Sequence, residues 1–192
     1  SVHSAELHGY SPIFAPDMAV EFIDTAGCGY NEAEMPETLS SANPEEGDLL
    51  INHLSNLLKH YDEVAEAAPL KIGVIAPYRA QINYLQDKVE HTPRLHDLHQ
   101  RRQLSIGTVD SFQGQERDII CMSLVRSNER GEIGFLADER RMNVGMTRAR
   151  RKLIIVGDSV TLSTNPFFAA LIAYVESIGA YKSAWELTES LP

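Results

Sequence analysis

Apolar residues along this chain fall into short continuous runs, separated by stretches with a helical period. Lys71–Pro77 reads KIGVIAP, a compact run closed by proline, and Leu153–Val156 reads LIIV. Runs without polar alternation suit strands buried on both faces of a parallel sheet. Leu104–Val109 and Ile119–Val125 make two further strands, and Val20, Phe22 and Ile23 a short one. Between them lie helices. Asn43-Pro44-Glu45-Glu46 has an Asn cap, proline at the first helical position and a Glu placed to reach back to the cap. Leu50, Leu54, Leu57 and Leu58 then recur at helical spacing, which carries the helix to about Tyr61. Tyr78, Ile82, Leu85 and Val89 share one helical face. Asp138 can cap a helix running to about Arg150, with Met142, Gly145, Met146 and Ala149 as its buried stripe. Pro166 opens a last helix with Phe167, Leu171, Tyr174, Val175 and Ile178 as its apolar stripe. Residues 1–18 read as an irregular lead-in, and a Gly-rich acidic loop runs to about Ala42. The polar, His/Arg-rich 91–102 and the charged 126–137 read as loops, and 180–192 as a tail.

Strands alternating with helices predict an α/β fold, a mostly parallel sheet with helices on both faces, in a single domain over 1–192. Such sheets bind ligands at the carboxyl ends of their strands. The Pro77-Tyr78, Thr108–Glu116, Arg126-Ser127 and Gly157-Asp158 loops all follow strands.

Composition narrows the function classes. No apolar run approaches the roughly 20 residues that span a bilayer, and no basic-then-apolar leader opens the chain, so no membrane is expected. With two cysteines, Cys28 and Cys121, the expected compartment is reducing: intracellular, cytoplasmic, or nuclear in a eukaryote. The chain opens at Ser1 without a methionine, as a fragment of something longer would. A formal net charge of −10 argues against a broad nucleic-acid surface, because phosphate contacts depend on Lys and Arg. The charge is uneven, however. Carboxylates dominate 21–66, while Arg117, Arg126, Arg130, Arg140, Arg141, Arg148, Arg150 and Arg151 crowd the second half and leave room for a local anion site.

Two segments carry the candidate chemistry. In GTVDSFQGQERD, Gly107–Asp118, a strand exits into hydroxyls, amides, a glycine and a carboxylate. Thr108 and Ser111 offer hydroxyl donors, Gly114 permits close backbone approach to an anion, and Glu116 can accept from paired sugar hydroxyls. An ordinary polar turn between two strands explains the same residues. In NVGMTRARRK, Asn143–Lys152, the helical period puts Arg148 and Arg141 on one flank of the buried stripe, and Asn143 and Arg150 on the other. A guanidinium at the edge of a buried face can project into a cleft and neutralise a transferring phosphoryl group. The plainer reading is that Arg148, Arg150 and Arg151 solvate the helix end and favour its dipole.

KIGVIAPYRAQ, then GTVDSFQGQERDIICMSLVRSN, then RRMNVGMTRARRKLIIVGD resembles motifs IV, V and VI of superfamily 1 helicases, over residues 71–158. The group it resembles includes the nonsense-mediated-decay RNA helicase, the Sen-type helicases and the Dna-two nuclease-helicase. The resemblance implies the C-terminal RecA-like domain of such a motor, a P-loop NTPase fold without its own P-loop. It implies Arg148 as the arginine finger on the ATP γ-phosphate, Gly114 as backbone near that phosphate and Glu116 as the ribose contact. Gln113 would link nucleotide and strand, while Pro77, Tyr78, Gln81, Thr108 and Ser111 would meet the nucleic-acid backbone. Asp110 is expected to stabilise the turn.

A phosphate-cradling loop needs G-x-x-x-x-G-K-[ST], and the chain has no Gly-Lys pair. Asp62-Glu63 and Asp138-Glu139 sit on helices rather than after an apolar strand, so neither is the expected Mg²⁺ pair. ATP and Mg²⁺ would therefore be held by an N-terminal RecA-like domain of the same parent chain, with single-stranded nucleic acid as the other partner. The isolated chain is expected to be inactive, and to hold no metal. A non-catalytic nucleic-acid or protein binding module on a helicase-like scaffold is the alternative. A dinucleotide enzyme lacks its G-x-G-x-x-G turn. His91, His96 and His99 lack a matching ligand set and read as solvated. Trp185 and Tyr181 offer base stacking or, more simply, packing of the tail.

Overall fold

A computed structural model describes residues 19–35, 40–64, 69–112 and 114–189. The lead-in over 1–18 and Gln113 lie outside the described residues. The strands are β1 (Val20–Asp24), β2 (Ala33–Met35), β3 (Ser40–Ala42), β4 (Ile72–Ile75), β5 (Leu104–Gly107), β6 (Arg117–Ser123), β7 (Ala149–Gly157) and β8 (Tyr181–Ser183). The helices are α1 (Pro44–Val64), α2 (Arg79–Glu90), α3 (Pro93–Gln100), α4 (Glu139–Met146), α5 (Ser159–Leu162), α6 (Pro166–Ser177) and α7 (Ala184–Glu189). Six strands form one sheet in the order β5-β4-β6-β7-β1-β8, every neighbouring pair parallel. β2 and β3 form a separate antiparallel hairpin within the acidic loop.

Alternate residues of the central strands feed two cores. Ile119 and Cys121 of β6, with Ile154 and Val156 of β7, face α1, α2 and α3. Ile120 and Met122, with Leu153 and Ile155, face α4, α5 and α6. This two-sided burial is why these strands are apolar without alternation. Burial pushes the Cys121 thiol up to about 12, so it is an inert core group. No described helix is long and apolar enough to cross a membrane.

Four expectations shift. Residues 93–100 form α3 rather than a loop, started by Pro93 at its first turn and anchored by buried Leu95. α4 ends at Met146, four residues short of Arg150, because Ala149 already pairs with Arg117 of β6. Arg148, Arg150 and Arg151 therefore lie off the helix, and the flank arrangement drawn from a longer helix does not hold. The register slips by one between Arg117 and Ile119, a bulge that gives β7 an extra residue there and re-aims its arginines. On α6 the buried positions are Phe168, Ile172 and Val175, whereas Tyr174 and Ile178 of the expected stripe are exposed.

Glu46 also departs from its expected cap role. Asn43 caps α1 through Oδ1, accepting from the Glu46 amide at 3.1 Å. The Glu46 carboxylate instead accepts from Ser123 Oγ at 2.6 Å and from the Val125 amide at 2.9 Å. Its Oε2 is buried without a hydrogen-bond partner. Burial raises its pKa to about 7, with the nearby Asp158 charge adding to the effect and the two hydrogen bonds opposing it. A raised carboxyl pKa favours folding fully below the unfolded value, and that contribution is lost as pH rises through about 7. The loss should reach on the order of 3 kcal/mol by pH 8 or above. Urea midpoints at pH 5 and pH 8 test this: Glu46→Gln should remove that part of the fall, and an unchanged difference between the two pH values would rule the assignment out.

Candidate functional site

The chain from Thr108 to Arg117 crosses one face of the sheet. It leaves the carboxyl end of β5, makes a 3-10 turn at Val109–Phe112, and enters β6 at its amino end. Gly73 makes this crossing possible, since a Cβ there would lie 2.8 Å from the Phe112 ring and 2.7 Å from Ile120. Thr108 and Pro77 thus stand at carboxyl ends, as expected. Gly114 and Glu116 do not: the second half of the loop precedes β6, and Arg148 precedes β7.

At the carboxyl end, Thr108 Oγ1 and Ser111 Oγ are 3.3 Å apart and the Ser111 amide donates to the Thr108 carbonyl at 3.0 Å. Ser111 is exposed and Thr108 half-buried, so both hydroxyls sit at the surface. Asp110 pairs with Arg141 of α4 at 3.1 Å, tying the turn to that helix. A cavity of about 170 Å³ opens between them, lined by Val109, Asp110, Asp138, Arg140, Arg141 and Val144.

At the amino end, Gly114 has φ +73°, the left-handed region open to glycine, with empty space where a Cβ would stand. Glu116 is exposed, its carboxylate 3.7 Å from Arg150 Nε. The Arg117 amide donates to the Arg148 carbonyl at 2.9 Å, which brings Arg148 within one residue of Glu116 along the backbone. The Arg148 amide donates to Gly145 O, and its Nε to Val144 O at 3.2 Å, so the half-buried side chain lies along the last turn of α4.

Two expected strand contacts are interior groups. Gln81 is 0% exposed; its Oε1 accepts from the Asn43 amide, and its Nε2 donates to Asn43 O and to Ser123 Oγ, all at 2.9 Å. A direct contact with a nucleic-acid strand is closed to it in this arrangement. Tyr78 is 6% exposed, its hydroxyl accepting from Arg126 Nη1 at 3.2 Å and from the Phe135 amide at 3.3 Å. Pro77 beside it stays partly exposed.

Sequence reasoning missed the clamp around Val125. This β-branched residue has φ +72°, a strained left-handed conformation. Glu46 takes its amide, and Asn43 Nδ2 donates to its carbonyl at 3.3 Å. The kink turns Arg126 onto Glu32 at 3.0 Å and over the Tyr78 ring. Asp24, at the end of β1, was missed too, with a carboxylate closing an apolar strand as the available signal; Asp158, in a loop the sequence does point to, stands at the end of β7. Asp24 accepts from the Ser159 amide and hydroxyl and from the Tyr181 hydroxyl, and Asp158 from Ser127 Oγ and Thr161 Oγ1. Burial, with Asp24 beside it, pushes the Tyr181 hydroxyl up to about 12. Its ring stacks on Phe22 while Trp185 is exposed. His99 and His96 both contact Glu90, at 3.0 and 2.7 Å, and hold its carboxyl below the usual range.

A fully parallel sheet covered on both faces, crossed by a hydroxyl- and glycine-bearing loop that meets an arginine, has the form of a RecA-like domain. Comparison with known proteins agrees. The AAA domain family model matches residues 1–160. The DNA-binding protein SMUBP-2 of Rattus norvegicus is 34% identical over 186 residues, which is 97% of this chain and 18% of the relative. The DNA polymerase alpha-associated DNA helicase A of Saccharomyces cerevisiae is 42% identical over 137 residues, 70% of this chain and 18% of the relative. The regulator of nonsense transcripts 1 of Dictyostelium discoideum is 42% identical over 109 residues, 57% of this chain and 8% of the relative. The chain belongs to the AAA domain family, as a superfamily 1 helicase domain of the nonsense-mediated-decay, Sen and Dna-two group. It spans less than a fifth of the length of these relatives.

Proposed function

We propose that this chain is the second, C-terminal motor domain of an ATP-dependent DNA or RNA helicase, closing on an N-terminal P-loop domain of the same parent protein. The observation that carries this reading is the single stretch from Thr108 to Arg117, which joins the hydroxyl pair at one end of the sheet to the Arg148 backbone at the other. Arg148 is the finger on the γ-phosphate and Glu116 the ribose contact, while Gly114 brings backbone to the phosphate and Gln113 links the two ends. The open surroundings of Gly114 and the exposed Glu116 carboxylate fit a nucleotide arriving from outside this domain. Mg²⁺ is assigned to the partner domain, where the phosphate-cradling loop is expected. When bound, the metal neutralises charge on the phosphates.

Thr108, Ser111 and Pro77 meet the single strand. Tyr78 and Gln81 act from the interior, holding the surface loops in place. Closure of the two lobes on ATP shifts the strand contacts through the connecting stretch. In the complete protein, Thr108→Val combined with Ser111→Ala should weaken single-strand binding about a hundredfold, as two lost hydrogen bonds to an anion at about 1.5 kcal/mol each imply. Strand-stimulated ATP turnover should fall in parallel. Unchanged binding would remove the hydroxyl pair from the strand site. Strand binding with no ATP dependence at all would favour the non-catalytic module instead.

A further inference from the structure

Phe135 is 62% exposed, in a 3-10 turn at Gly134–Ala137, and its ring lies 5.3 Å from that of Tyr78 at the carboxyl end of β4. Exposed aromatics on loops usually reflect tolerance. This one is held outward by several separate features. The Phe135 amide donates to the Tyr78 hydroxyl at 3.3 Å. Gly134 has φ +52°, and a Cβ there would stand 2.5 Å from the Tyr78 hydroxyl and 2.8 Å from Arg126 Nη1, so the close approach requires glycine. Leu136, fully buried, anchors the turn from below. Arg126 lies over the other ring at 5.9 Å and is itself fixed by Glu32, through the kink at Val125.

We infer that Phe135 is a stacking platform for one nucleobase of the single strand. The inference rests on the strand reading above, since Tyr78 directly follows Pro77. The surroundings favour a base over a protein partner. Arg130, Glu132, Asp138, Glu139 and Arg140, within five residues of it along the chain, are exposed and charged, and among the described residues the other large exposed apolar side chains lie on α5, on α6 and its C-cap, and on α7. A protein interface core needs a contiguous apolar patch. A single ring rimmed by charge suits one π-face, and because every base has one, the contact adds affinity without reading sequence. The rigid mounting lowers the ordering cost of binding.

The test uses the complete protein and fluorescence anisotropy with a single-stranded oligonucleotide and its abasic counterpart. Phe135→Leu keeps apolar bulk and removes the ring; it should weaken binding of the base-bearing strand about tenfold and leave the abasic strand unaffected. Phe135→Trp should bind as well as the natural residue or better. Thermal midpoints should match, because the ring is exposed. Equal affinity of Phe135→Leu and the unaltered protein for the base-bearing strand would overturn the inference and leave the ring to a protein partner. So would an equal loss on both strands, which would indicate a backbone contact. The Thr108→Val, Ser111→Ala pair should weaken both strands alike. If it weakens neither while Phe135→Leu still weakens the base-bearing one, the hydroxyl assignment falls and the stacking stands.

Discussion

Arg148→Ala, made in the complete protein, is expected to leave ATP binding largely intact and to lower turnover by about 10³-fold or more. That factor corresponds to about 4 kcal/mol of transition-state stabilisation, the scale at which a fixed positive group acts on a transferring phosphoryl. The geometry favours Arg148 over its neighbours. Its backbone is fixed at both sides, its amide on Gly145 O and its carbonyl on the Arg117 amide, and its Nε is steered by Val144 O. A side chain rooted this way loses little freedom on meeting a phosphate. Arg150 lies on β7 beyond the start of pairing and leans toward Glu116. Arg150→Ala should therefore change turnover far less than Arg148→Ala. Arg148→Lys should recover little, since an ammonium lacks the planar two-donor fork. Steady-state turnover with parallel nucleotide-binding measurements decides the matter: unchanged turnover in Arg148→Ala would remove this residue from the finger role.

The fold was legible where one force dominated. KIGVIAP and LIIV are buried on both faces, so nothing competed with their reading as parallel strands. Asn43 and Pro44 start α1 by local chemistry alone. Where tertiary packing decided, the pattern misled. α3 is eight residues with one fully buried side chain, Leu95, too little apolar signal to stand out from a polar loop. α6 is apolar around most of its circumference, so its period had no unique phase, and Phe168, Ile172 and Val175 won the inward face. α4 ended early because strand pairing at Ala149 outcompeted one more helical turn.

The candidate site was legible as a set of residue types and less so as a place. The resemblance grouped Thr108, Ser111, Gly114, Glu116 and Arg148; the fold sets the hydroxyl pair at the carboxyl end of the sheet and Gly114, Glu116 and Arg148 at the amino end, with one connecting stretch between. The resemblance gave no indication that Gln81 and Tyr78 face inward, because a polar or aromatic residue just after a strand can turn either way. Asn43, Ser123 and Val125 settle that choice, and they are 38 to 44 residues from Gln81. Such separations leave no local pattern.

Glu21→Ala is the substitution expected to cost most stability in this chain, about 3–5 kcal/mol, a large share of a typical domain's margin. Glu21 on β1 is buried on the α1 face of the sheet, among cations from its neighbours on both sides. Lys152 Nζ of β7 is 3.3 Å away, Lys182 Nζ of β8 2.8 Å and His53 Nε2 of α1 2.9 Å. Burial alone would raise its pKa; the His53 hydrogen bond, Lys152 and Lys182 together outweigh that and hold the carboxyl well below the usual carboxylate range. Lys152 shows the opposite balance: its side chain is fully buried, and desolvation pulls its pKa down although Glu21 opposes this. Removing Glu21 therefore takes the counter-charge from a buried ammonium, while Lys182, a third exposed, can turn to water. The double change Glu21→Leu with Lys152→Met should recover most of the loss, because replacing both charges removes the desolvation cost along with the attraction. The pH dependence runs opposite to that of Glu46. A depressed carboxyl pKa contributes stability above the unfolded value, about 4.3, and that contribution disappears as pH falls through the lower folded value. Urea unfolding at pH 7 and pH 3 should show Glu21→Ala far less stable than the unaltered chain at pH 7 and closer to it in acid. A variant equally stable at pH 7 would mean that Glu21, Lys152, Lys182 and His53 do not act as one buried network.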